Sequence, residues 1–141
     1  SFNANFIYGN DVCNIAVMNG NSEIVKLLIS EPNIQIDEIK NLNFYSALFF
    51  AVTNNDSETV NVLLHHPTIN VNYNKIQFGF SHNGIYPLTH AVRNKNIEIV
   101  KMLLSHPKID VNVQTDGMTP LRIALDMNNK EMVDIFLSSY H

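Results

Sequence analysis

The sequence predicts an all-α fold, a solenoid of stacked helix–turn–helix units joined by extended arms, on three observations. The chain repeats itself: Ala16, Ala51, Ala91 and Ala124 are each followed seven residues later by Glu (Glu23, Glu58, Glu98, Glu131) and nine residues later by Val (Val25, Val60, Val100, Val133). The alanines lie 35, 40 and 33 residues apart, a period that belongs to repeat architectures rather than to one irregular domain. Each copy also carries two apolar stripes at helical spacing, and three copies place Pro three residues after the end of the second stripe.

The first stripe runs through Cys13, Leu48, Leu88 and Leu121, the repeat Ala, and then Val17, Val52, Val92 and Leu125. Spacings of three and four residues put these on one face of a short helix. The second stripe reads "EIVKLLI", "ETVNVLL", "EIVKMLL" and "EMVDIFL". It keeps the same period and is richer in Leu, so the second helix is expected to be the more buried. Between the two, Asn21, Asp56, Asn96 and Asn129 stand two residues before the Glu. Such side chains accept from the free N–H groups of a first turn, and Glu just inside favours the positive end of the helix dipole. The residue before each cap is Gly20, Asn55, Lys95 or Asn128. Gly and Asn tolerate the left-handed conformation that ends a helix, and Lys95 is expected to carry strain there. "SEPNIQID", "HHPTINVN" and "SHPKIDVN" follow, where Pro32, Pro67 and Pro107 stop the helix and alternating apolar residues suggest an extended arm. Turn signals reopen the unit at "YGNDV", "NGIYPL" and "DGMTPL", with Gly9, Gly84 and Gly117 seven residues before their Ala and Phe44 in the second copy.

The one long spacing holds "KIQFGFSHNGIYPL", residues 75–88. Its last residues are ordinary repeat, and an insertion at about 75–82 lengthens the finger between the second and third copies. Ile76, Phe78 and Phe80 alternate and would share one face of an extended strand, with Gly79 and "SHNG" supplying bends. That aromatic face either folds back over gaps left by the second copy or stands out as a contact for a partner.

Composition narrows the function classes. The chain has 141 residues, 45% hydrophobic and 16% charged, which suits one globular domain with a core. The net charge is −4, and Arg93 and Arg122 are the only arginines, so no basic stripe exists to bind nucleic acid. The single Cys13 forms no internal disulfide and fits a reducing compartment, so an intracellular, cytoplasmic protein is expected. No apolar run is long enough for membrane insertion, and "SFNANFIYGN" lacks the regions of a signal peptide. The chain opens without Met and reads as an excised piece, expected as a monomer or as part of a longer chain. The 21 Asn are spread among patterned apolar runs, unlike a prion-like tract. "NDS" at residues 55–57 matches a glycosylation acceptor but falls in a tight inter-helix turn.

Side chains capable of chemistry have ordinary structural readings. His65, His66 and His106 lie at the ends of second helices, beside free carbonyls and before Pro, with no Cys or carboxylate cluster to complete a metal site. His90 lies on the stripe side of a first helix, and Cys13 occupies a core position. "GFSHNG" lacks the Lys-Ser/Thr of a phosphate loop, and the four recurrent Glu start helices too far apart to act as an acid–base pair. No enzyme, cofactor or metal is expected.

"GMTPLRIA" followed by "NNKEMVDIFL", and less fully "GIYPLTHAVRNKNIEIVKMLLSHPKIDVN", resembles the ankyrin repeat. The first two copies keep the second helix but read "DVCNIA" and "SALFFA" where the family has its Thr-Pro-Leu-His box. The resemblance covers residues 8–141, as repeats at about 8–40, 43–75, 83–115 and 116–141 of a single domain, 1–141. No unit keeps the family His, whose position is Asn14, Phe49, Thr89 or Arg122, so the local hydrogen-bond network of that box is in question. The Gly that follows helix two in the family is replaced by the Pro-containing connection.

The resemblance implies a non-catalytic module that binds a protein partner on a concave face built from fingers and first helices. Carried over by position, the finger residues are Tyr8, Asn10, Asn43, Tyr45, His82, Asn83, Ile85, Thr115, Asp116 and Met118. The helix residues are Met18, Asn19, Thr53, Asn54, Arg93, Asn94, Asp126 and Met127, and Phe78 and Phe80 of the insertion join the partner-binding set. Tyr, Met and Arg among neutral amides suit protein contacts. Leu104 with Asp110, Val111 and Asn112 also resembles the fingers that undergo asparaginyl hydroxylation, and Leu64 with Val71 and Asn72 fits less well. Two alternatives stay open: a structural segment of a longer array, and an accessory region of an enzyme whose catalytic domain lies outside these residues.

Overall fold

The computed structural model describes residues 11–31, 47–67, 69–72 and 86–139, with side chains from Ile15 onward. Eight helices occupy the described residues: α1 Asp11–Met18, α2 Ser22–Ile29, α3 Ala47–Thr53, α4 Ser57–Leu64, α5 Pro87–Arg93, α6 Ile97–Leu104, α7 Pro120–Asp126 and α8 Lys130–Ser139. No strand forms among them, and extended pairing is confined to a single bridge between Thr115 and Met118. The all-α repeat architecture expected from the periodicity is the one that forms. Contacts gather the chain into two compact units, Ser1–Asn70 and Val71–His141. The first holds α1 to α4 and the second α5 to α8; within each, a helix packs on its hairpin partner and on the like helix of the next hairpin.

One local device makes all four hairpins. The N–H groups of Gly20, Asn55, Lys95 and Asn128 donate to Val17, Val52, Val92 and Leu125 at 2.9–3.0 Å. The next residue in each case donates back to the repeat Ala: Asn21 to Ala16, Asp56 to Ala51, Asn96 to Ala91 and Asn129 to Ala124, at 3.0–3.4 Å. This is the bonding pattern of a helix end closed by a left-handed residue, and that residue has φ 70°, 52°, 58° and 54° in chain order. The same Asn or Asp then turns its side-chain oxygen to the following helix, accepting from Ile24, Thr59, Ile99 and Met132 at 3.0–3.2 Å. Four residues thus finish one helix with their backbone and start the next with their side chain. Two first helices open on Pro at their first position, Pro87 and Pro120, where a missing N–H costs nothing. Thr119 adds a side-chain cap to the N–H of Arg122 at 3.3 Å.

Burial reverses one expectation. The first helices are the more enclosed: α3 buries Ala47, Leu48, Phe49, Ala51 and Val52, and α5 buries Pro87, Leu88, Thr89, Ala91 and Val92. The Leu-richer α4 and α6 bury three residues each, Thr59, Val60 and Leu63, and Ile99, Val100 and Leu103. Enclosure follows how closely the neighbouring helices approach, not Leu content. A first helix built on Ala and Val lets its neighbours come close, whereas a second helix keeps an outer row toward solvent, as Leu27 and Leu137 do.

The segment after α6 starts as a turn, with His106 donating to Leu103 and Ile109 to His106, both at 3.1 Å. Past Pro107 the expected alternation holds: Ile109, Val111, Val113 and Thr115 are the more buried residues, and Asp110, Asn112, Gln114 and Asp116 are exposed. Strand-like parity is therefore kept without a sheet ladder.

Lys95 carries the left-handed conformation with a Cβ, which costs roughly 1–2 kcal/mol in an L residue. Lys95→Gly is expected to stabilise the protein by about 0.5–1 kcal/mol, net of the larger unfolded-state entropy of Gly. Lys95→Ala, which keeps the Cβ, should give no such gain. Urea unfolding of the three proteins side by side measures the difference.

Candidate functional site

The best-defined stretch of the predicted surface lies in the second unit. Thr115 and Met118 exchange both backbone hydrogen bonds at 3.0 Å around Asp116 and Gly117. Those two residues have φ 55° and 73°, the signature of a two-residue hairpin turn for which Asp-Gly is a preferred pair. The turn therefore has a single geometry, with Asp116 at its exposed tip.

Beneath the tip is a polar contact that sequence reasoning missed. The finger pattern puts Thr115 at the surface; it is instead 1% exposed, with its Oγ1 2.7 Å from that of the fully buried Thr89. Thr89 donates its hydroxyl proton to the carbonyl of Tyr86 at 3.1 Å, so in the contact between the two hydroxyls Thr115 is the donor. Thr89 occupies the position of the family His. A short hydrogen-bonded chain from the start of α5 to the next finger is thus made by two threonines. The parity of residues 109–115 was the available signal, since it turns Thr115 inward with Val113.

Above the tip, Arg93 on α5 donates from Nη2 to Asp116 Oδ2 at 3.3 Å. Arg122 Nε donates to Asp126 Oδ1 at 3.0 Å along α7. Because α5 packs beside α7, the repeated pair Arg93 and Asn94 has Asp126 and Met127 as its counterpart on the neighbouring helix. Asp126 is exposed, and Asn94, Met127 and Met118 are half-buried. In the first unit Met18 and Asn19 are exposed on and just past α1. Thr53 turns its hydroxyl back to the carbonyl of Phe49 at 2.9 Å, and Asn54 Nδ2 donates to Val17 at 3.4 Å, so these two brace the packing as well as facing outward. Tyr8, Asn10, Asn43, Tyr45, Phe78, Phe80, His82, Asn83 and Ile85 lie outside the described residues.

A second missed feature is the side chain of Asn72. Its Nδ2 donates to the carbonyl of Lys108 and its Oδ1 accepts from the N–H of Asp110, both at 2.8 Å. One amide thus clamps the following arm as a strand would. Asn112 is the equivalent residue one repeat on; it is exposed, and its backbone N–H donates to Asp110 Oδ1 at 2.9 Å.

The histidines take structural roles. His65 Nδ1 lies 2.7 Å from the carbonyl of Asn61, and His106 Nδ1 accepts from the N–H of Lys108 at 3.2 Å. Burial, assisted by the nearby Arg93 charge, holds His90 below the ordinary imidazole value, which favours its neutral ring. Among the described residues no group of His, Cys, Asp and Glu is arranged to hold a metal ion. A groove of about 500 Å³ lies between α6 and α8, lined by Lys101, Leu104, Ser105, Glu131, Asp134, Ile135, Ser138 and Ser139, on the second helices rather than on the fingers. No helix among the described residues is long and apolar enough to cross a membrane.

Four helix hairpins, with one ordered finger turn described between the third and the fourth, define an all-α repeat protein. The family model described as ankyrin repeats (3 copies) matches residues 2–75 and 73–141, and the chain belongs to the ankyrin-repeat family. Repeats of this family are in general protein-interaction modules and typically non-catalytic. A search of curated proteins gave no significant match.

The two threonines test how the finger is held. Thr89→Val and Thr115→Val should each cost about 1–2 kcal/mol, because each strips a buried hydroxyl of its partner. The double variant should cost clearly less than the sum, leaving a coupling of at least roughly 0.5 kcal/mol. Equilibrium unfolding of all four proteins measures it.

Proposed function

We propose that this chain is a non-catalytic interaction module that binds a protein partner through its fingers and first helices. The observation that carries the reading is the ordered tip of the second unit. Asp116 sits on a turn of fixed geometry, anchored from below by Thr115 and Thr89 and bridged from the side by Arg93. A finger already in its final conformation loses little entropy on binding. The bridge is weak enough to exchange: both partners are substantially exposed, and such surface pairs contribute only about 0–1 kcal/mol. Arg93 can then leave Asp116 for a carboxylate or backbone carbonyl of the partner at little cost. Met118, Met127 and, in the first unit, Met18 supply apolar contacts that adapt to the shape opposite.

Affinity capture followed by mass spectrometry tests the reading. Three baits are compared: the unchanged chain, Arg93→Ala with Met127→Ala, and Lys101→Ala with Asp134→Ala, which alters the groove on the second helices. A specific partner should be captured by the first and third baits and lost, by at least tenfold, from the second. A partner that survives the finger-side change and is lost with the groove change would move the binding surface to the other side of the repeats.

A further inference from the structure

We infer that the Asp116–Gly117 peptide is a site of spontaneous covalent change, in which Asp116 passes through a cyclic imide to isoaspartate, and that Arg93 restrains the conversion. The inference does not depend on which partner the fingers bind. The chemistry needs a carboxyl or amide group one methylene from the main chain, and beside it a peptide nitrogen free to attack its Cγ. A following Gly favours attack, because no Cβ crowds the nitrogen and the backbone reaches conformations closed to other residues.

Among the described residues Gly follows Asp or Asn at two places, Asn19–Gly20 and Asp116–Gly117. Their surroundings differ. The Gly20 N–H closes α1 by donating to Val17 at 3.0 Å, so attack there must first break a helix end. In the finger the two bonds of the turn join Thr115 to Met118, and among the described residues no backbone carbonyl accepts from the Gly117 N–H. The Asp116 side chain is 61% exposed. A Cβ placed on Gly117 would meet nothing within 4 Å, so the peptide stands in open space where a ring has room to close.

Two contacts oppose closure. Arg93 Nη2 holds Asp116 Oδ2 at 3.3 Å, and a carboxyl engaged by a guanidinium on α5 is not free to swing onto its neighbour's nitrogen. Thr115, hydrogen-bonded to the buried Thr89 at 2.7 Å, keeps the turn in one geometry.

The reaction balances with water alone. The Gly117 nitrogen bonds to Asp116 Cγ while the nitrogen's proton and the carboxyl hydroxyl leave as water, which gives a five-membered imide. Water then opens one of the two ring carbonyls. One opening restores Asp116; the other leaves the chain running through Cβ and Cγ, with the α-carboxylate as the free group. Mass is unchanged, but the main chain gains one carbon inside a two-residue turn, which then cannot keep both Thr115–Met118 bonds. Under the proposed function, on which this consequence alone rests, converted protein loses its ordered tip.

Four samples test the inference: the unchanged chain, Arg93→Ala, Asp116→Glu and the free peptide of residues 109–122. Each is held at physiological temperature in mildly acidic buffer, which favours imide formation from Asp over loss of ammonia from Asn. Isoaspartate is located by enzymatic methyl labelling and peptide fragmentation. Label should appear at residue 116 of the unchanged chain, more slowly than in the peptide, and should be absent at that residue in Asp116→Glu, whose longer side chain would need a six-membered ring. An exposed ion pair contributes up to about 1 kcal/mol, a factor of roughly five in rate, so Arg93→Ala should speed conversion about two- to fivefold. Circular dichroism checks that the variant keeps its helices, and Arg93→Gln replaces it where it does not. No label at residue 116 of the unchanged chain while the peptide converts would overturn the site. Conversion as fast in the folded chain as in the peptide, or an unchanged rate in the folded Arg93 variant, would overturn the restraint.

Discussion

A hairpin of two short helices cannot close a core by itself, and most of what this protein does with its sequence follows from that constraint. The repeat Ala, the Val after it and the Val of the second helix are enclosed only where another hairpin lies against them. Leu125 shows the rule by exception, since it has the place of Val92 and is exposed where none of the described hairpins covers it. Stability in such a chain is a sum of unit terms and nearest-neighbour terms. The small residues at the Ala positions set how near the first helices come, and hence how much apolar surface each neighbour covers.

The second constraint is local. One residue per hairpin takes a left-handed φ, and the next closes the first helix with its N–H and caps the second with its side chain. This fixes the angle between the two helices within six residues and does so four times. Because the register is set locally, the fingers are free to vary. The Thr89–Thr115 contact illustrates the latitude: the family His is gone, yet the start of α5 is still tied to the next finger through a buried hydroxyl pair. Function can then sit on tips and first helices without disturbing the core.

Features governed by neighbours along the chain are legible in the amino-acid sequence. The four capping residues, the left-handed position and the anomaly at Lys95 all follow from short-range chemistry, as do the helix stripes. What sequence reasoning misses is non-local. The greater enclosure of the first helices depends on how closely their neighbours approach, which Leu content does not encode. The inward turn of Thr115 needs the parity of the whole arm, and the Asn72 clamp joins residues 36 and 38 positions apart. Of the surface assigned by position, Arg93 and Asp116 prove to be directly paired. The aromatic insertion at 75–82 falls outside the described residues, so both of its readings stand.

The central claim is that a hairpin is stabilised by the hairpin that covers it. Residue-resolved native-state hydrogen exchange at low protein concentration tests this most directly within the second unit, where α6 is covered by α8 and α8 has an open face. The account predicts that the core amides of α6, around Val100 and Leu103, open with a free energy at least about 1 kcal/mol above those of α8 around Val133 and Phe136. Equal protection in the two helices, or stronger protection in α8, would contradict it.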